Sequence, residues 1–120
     1  MTMRTVTKAV LAAALTMAAY ITPAATETAP RRIEVVAKRF AFVPAEITLR
    51  KGEPVVLIFH SEDVAHGIRF KELELQAEIP KGAMTELRFT PDKAGDFVGH
   101  CSRFCGSGHG SMMMTLHVTE

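Results

Sequence analysis

The only two cysteines of the chain, Cys101 and Cys105, are separated by three residues, and His109 and Met112 follow within the next seven. Glycines at 106, 108 and 110 let the backbone curl tightly between them. Thiolate, imidazole and thioether in one short loop make a soft donor set, which selects copper, zinc or iron–sulfur over magnesium or calcium. The thioether favours copper, because zinc prefers thiolate, imidazole and carboxylate. The competing reading is a disulfide, the default for a cysteine pair in an exported protein. A bridge across three residues closes so short a loop that it stabilises little. His109 and Met112 therefore move the balance toward metal.

The elements that must position this loop read as strands. Ile33, Val35 and Ala37 alternate with Glu34, Val36 and Lys38, and Ile47 and Leu49 alternate with Glu46, Thr48 and Arg50. Val55 to Phe59 is apolar on both faces, as suits a central strand. Leu73 to Ile79 reads as a further strand or an irregular crossing. Thr85, Leu87 and Phe89 alternate with Glu86 and Arg88, and Asp96 to His100 and Met114 to Val118 complete the set. Lys51-Gly52-Glu53, Pro80-Lys81-Gly82 and Thr90 to Gly95 mark turns. The expectation is an all-β, Greek-key β-sandwich of about seven strands, with the cysteine loop joining the last two.

With 120 residues, 48% of them hydrophobic and 22% charged, the chain has room for one globular domain. Arg4 and Lys8, the apolar run from Ala9 to Ile21 and the small residues Thr22 to Ala25 read as a secretory signal. That run is shorter than the roughly 20 apolar residues a membrane span needs, which disfavours an N-terminal anchor. The expected organisation is a signal over 1–25, a short linker over 26–31 and a domain over 32–120, placing the mature chain in the periplasm or outside the cell without a membrane span. Beyond residue 25 the chain holds 12 basic and 13 acidic residues, a balance of −1. Such near-neutrality argues against a nucleic-acid partner, which needs a clustered basic face.

The run Cys101-x3-Cys105-x3-His109-x2-Met112, introduced by Pro91-x3-Gly95 and a strand, resembles the copper A domain of cytochrome c oxidase subunit II, a member of the cupredoxin family. Upstream, Ser61-Glu62-Asp63-Val64-Ala65-His66-Gly67 is similar to the segment that supplies that site's first histidine. The resemblance implies that Cys101 and Cys105 bridge two copper ions, that His66 and His109 are imidazole ligands, that Met112 gives a thioether and Arg103 its backbone carbonyl. It implies one-electron transfer. Two features depart from the pattern: Arg103 stands where the oxidase subunits carry an acidic residue, and there is no transmembrane hairpin. The resemblance is therefore to a free copper domain.

Around this set, His100 reads as a strand histidine pointing away from the site, His60 and His117 as structural or exposed, and Met84 and Met114 as core. Met113 is expected to cover the apolar rim, with a labile copper(I) site at Met113 and Met114 as an alternative. Glu62 and Asp63 belong to the turn, and they also stand where they can orient the ring of His66.

Three functions fit the loop. The first is an electron carrier with a dinuclear copper centre, working between a redox partner such as a cytochrome and a terminal reductase. The second is a copper-delivery protein that hands its metal to an acceptor protein. The third is a mononuclear carrier using His66, Cys105, His109 and Met112, resembling the blue copper arrangement. No Ser-His-Asp spacing, phosphate-binding glycine loop or paired carboxylates recommend an enzyme.

Overall fold

Among the described residues the regular structure is strands, apart from two short 3-10 turns. The computed structural model describes residues 12–20 and 29–120. Of the segment read as a signal, 1–11 and 21–25 lie outside the described residues, as do residues 26–28 of the expected linker; 12–20 are exposed and carry no regular structure. Among the described residues no helix is long and apolar enough to cross a membrane.

Among the described residues there are nine strands: β1 (Arg31–Lys38), β2 (Ala41–Val43), β3 (Glu46–Arg50), β4 (Val55–Ser61), β5 (His66–Phe70), β6 (Leu75–Ile79), β7 (Thr85–Phe89), β8 (Gly95–His100) and β9 (Met113–Thr119). They form two sheets, one of order β2-β1-β4-β7 and one of order β3-β9-β8-β5-β6. The β1–β4 and β3–β9 pairs are parallel and the remaining pairs antiparallel. The inner faces meet in a core that includes Val35, Phe42, Leu57 and Phe59 from one sheet and Ile68, Phe70, Phe97, Met114 and Leu116 from the other.

The β-sandwich is thus as expected, with nine strands in place of about seven. The two additions are β2 and β5. Three residues are too few for alternation to show in β2. In β5, His66, Gly67 and Ile68 are consecutively buried, so no exposed residue breaks the run until Arg69.

β4 does lie inside its sheet, between β1 and β7. On its outer face Val56 is flanked in register by Arg32 and Arg88, and Ile58 by Glu34 and Glu86. Glu86 ties both arginines at 2.8 Å, so long charged side chains cover apolar surface while their heads stay in water. Met84 corrects the sequence reading. Thr85 opposes the inward-facing Phe59, so alternation turns Met84 outward, where it is 60% exposed.

His117 joins three strands of the larger sheet. Its Nδ1 meets Asp96 Oδ1 on β8 at 2.6 Å and its Nε2 meets Glu46 Oε1 on β3 at 3.1 Å. Hydrogen bonds donated to the Asp96 and Glu46 carboxylates raise its pKa above the ordinary 6.5. A raised folded-state pKa gives stability that is complete below 6.5 and disappears as pH rises through the folded value. The Tm difference between the wild type and His117→Gln should therefore be largest in mild acid and shrink toward alkaline pH. A difference independent of pH would contradict this.

Candidate metal centre

The site lies where three connections meet at one end of the sandwich. The loop of residues 101–112 leaves β8 and returns to β9, and its base is closed by the Cys101 N–H donating to the Met112 carbonyl at 3.0 Å. Ser102 N–H donates to Gly67 O at 3.2 Å, tying the loop to β5. Gly67 permits that approach, since a Cβ there would stand 2.3 Å from Ser102 Oγ. Within the loop, Gly106 O accepts from the His109 N–H and His109 O from the Met112 N–H, each at 3.2 Å, so one 3-10 turn sets both side chains.

The segment between β1 and β2 supports the loop from outside. The Arg39 Nε–H donates to Cys105 O at 2.9 Å, and the Phe40 ring lies against Gly106 and Gly108. A Cβ at Gly108 would meet that ring at 2.5 Å. Gly108→Ala should therefore displace the loop and cost about 1–3 kcal/mol, as overpacking does. Urea unfolding of the metal-free protein checks this, and an unchanged midpoint would contradict it.

The side chains of His66, Cys101, Cys105, His109 and Met112 converge. Cys105 Sγ is their hub, 3.8 Å from Cys101 Sγ, 3.7 Å from His109 Nδ1 and 3.7 Å from Met112 Sδ. Arg103 presents its carbonyl oxygen 3.1 Å from Cys101 Sγ, while its side chain is exposed and 3.9 Å from Glu78. His66, fully buried at the start of β5, places a ring nitrogen within 4.8 Å of both cysteine sulfurs. Cys101, Cys105 and Met112 are buried as well.

His66 is held by Asp63. Its Nε2 meets Asp63 Oδ1 at 2.7 Å, leaving Nδ1 buried and without a hydrogen-bond partner. Asp63 is fixed in turn by backbone N–H groups of Arg39 at 2.7 Å and Val64 at 2.6 Å, and Ser61 Oγ bonds the Val64 carbonyl. Burial opposes the Asp63 charge, but the hydrogen bonds from Arg39, His66 and Val64 outweigh it and hold the carboxyl well below the usual carboxylate range. A charged acceptor on Nε2 fixes the tautomer with its lone pair on Nδ1.

The cysteines are free, their sulfurs well beyond the ~2.05 Å of a disulfide. Burial, reinforced by the neighbouring Cys101, pushes the Cys105 thiol up to about 11. A buried imidazole with an unpartnered Nδ1 and a ring nitrogen within 4.8 Å of two buried thiols is an arrangement that a soft cation completes.

His100 is exposed and directly opposite Met113 across β8 and β9. Met113 is 42% exposed and Met114 is core. Arg39 and Phe40 carried no signal in the sequence, because their tie to the loop spans 66 residues of chain.

A two-sheet sandwich with a sulfur-rich loop between its last strands is the architecture of a cupredoxin. A family model described as a cupredoxin-like domain matches residues 9–114, and the chain belongs to that family. It is also similar to cytochrome c oxidase subunit 2 of Thermus thermophilus, 29% identical over 99 residues that make up 81% of this chain and 73% of that protein. Against a second, longer subunit 2 from a strain of the same organism the identity is again 29%, and the chain spans 59% of its length.

Among solved structures, the periplasmic domain of cytochrome oxidase subunit II from Bradyrhizobium japonicum shares the fold, with a TM-score of 0.70 and 18% identity over 80% of this chain and 88% of that one. The metal-binding domain of a Cu(I)-exporting P-type ATPase from Streptococcus pneumoniae, solved with Cu(I), gives a TM-score of 0.63 and 25% identity over 80% and 92%.

Proposed function

We propose that this protein is an exported one-electron carrier with a dinuclear copper centre, in which Cys101 and Cys105 hold both ions, His66 and His109 each bind one, and Met112 and the Arg103 carbonyl are outer ligands. The observation that carries this reading is the pair of free, buried sulfurs at 3.8 Å, with His66, His109, Met112 and the Arg103 carbonyl grouped around them. Similarity to oxidase subunit 2 over 81% of the chain supports it. When bound, two coppers sharing two thiolates supply a delocalised, one-electron redox couple.

The residues of the chain do the rest. Asp63 keeps the Nδ1 lone pair of His66 available, and the bond from Arg39 to Cys105 O and the Cys101–Met112 backbone bond fix the loop. A donor set held this firmly changes shape little between oxidation states. Burial of Cys101, Cys105, Met112 and His66 keeps water from the sulfurs, and His109, only half-buried, is the side-chain ligand nearest solvent and a partner. The partner on this reading is a cytochrome or a terminal reductase in the periplasm or outside the cell.

Copper delivery is the second reading, supported by the likeness to a Cu(I)-loaded domain of an exporter. Repeated reduction and reoxidation in the presence of a copper(I) chelator separates the two. A carrier keeps its metal through the cycles, and a delivery protein gives it up on the first reduction.

A further inference from the structure

A second pair of soft donors stands on the outer face of the smaller sheet. His60, near the end of β4, and Met84, just before β7, line one open cavity of about 290 Å³ with Ser61, Gly82 and Ala83. The antiparallel register that opposes Phe59 to Thr85 brings Met84 opposite His60 at the next step, both on the outward face. Met84 is 60% exposed, so its thioether is spent on no core contact, and His60 Nδ1 is shielded from water without a hydrogen-bond partner. Among the described residues no carboxylate lines the cavity. An imidazole and a thioether without acid groups suit a soft monovalent ion and suit magnesium or calcium poorly.

We propose that His60 and Met84 form a second, solvent-facing site that binds Cu(I) reversibly, separate from the buried centre. Two donors in an open cavity leave coordination positions vacant, so the ion exchanges readily with solvent or with a protein that brings or takes it. The site is also linked to the buried one. Ser61 lines the cavity, and its Oγ accepts from the Asp63 N–H at 3.2 Å, while Asp63 holds His66 at 2.7 Å. Ser61, the chain neighbour of His60, thus lies two hydrogen-bonded steps from the His66 ring.

The test uses the full-length exported protein labelled at its methionine methyl groups and titrated with Ag(I), which shares the charge and softness of Cu(I) without its redox chemistry. The Met84 methyl resonance should shift and saturate, and His60→Gln should weaken that response by roughly tenfold or more. Met84→Leu, an exposed change that spares the core, should remove the accompanying shift of the His60 ring. The Met112 methyl reports the buried centre separately, so either site can fail without the other. A Met84 methyl that does not move, or that moves equally in His60→Gln, would overturn the proposal.

Discussion

On the proposed dinuclear reading, Cys101→Ser should take the protein from two bound coppers to one or none and abolish the visible absorption of the centre. The sulfur of Cys101 lies 3.8 Å from that of Cys105 and 3.1 Å from the Arg103 carbonyl, so its removal withdraws one of the two groups placed to be shared. A serine oxygen is a hard donor and a poor substitute for thiolate toward copper. Cys105→Ser should be as severe, because the Cys105 sulfur also contacts His109 and Met112. Copper analysis with absorption spectra on both variants reads the result. If Cys101→Ser kept its copper and colour while Cys105→Ser lost both, the mononuclear arrangement of His66, Cys105, His109 and Met112 would be the correct one.

Asp63→Ala should produce the second large effect, on stability and on metal together. Asp63 accepts from the Arg39 and Val64 backbone and from His66, and its loss strands three donors in a partly buried turn. Hydrogen bonds to a charged group are worth about 1.5–3 kcal/mol each. Allowing for partial exposure and for water replacing some of them, a loss of about 2–4 kcal/mol is expected. Copper affinity should fall about 10- to 100-fold, as when a partner that orients a ligating imidazole is removed. Asp63→Asn should recover much of the stability and less of the affinity, since an amide accepts a hydrogen bond without the carboxylate's charge. Denaturant unfolding and competitive copper titration measure the two effects. Loss of stability with unchanged affinity would show that Asp63 serves the turn alone.

The dual part played by Asp63 shows what a sequence can and cannot disclose. Its neighbour Glu62 is exposed and bonds nothing at the site, yet the two acids look equivalent beside His66 in the sequence. Only the turn geometry, with Ser61, Arg39 and Val64 closing on one carboxylate, separates them. The loop of Cys101 to Met112 was legible because its donors are local and chemically distinctive. β1, β3, β4, β7, β8 and β9 were legible because burial on one face imposes alternation and burial on both removes it.

What was not legible depends on tertiary contact. Arg39 and Phe40 brace the loop from a segment more than sixty residues away, and β5 hides its strand character under a histidine and a glycine that serve the site. Met84 was misread because a methionine next to a strand looks like core until register fixes its face.

Copper content and the electron resonance spectrum of the wild-type protein, measured on one sample, test the dinuclear assignment most directly. One electron shared by two equivalent copper nuclei gives a seven-line hyperfine pattern, so two coppers per chain with that pattern is the expected result. One copper per chain with a four-line pattern and strong blue absorbance would contradict it.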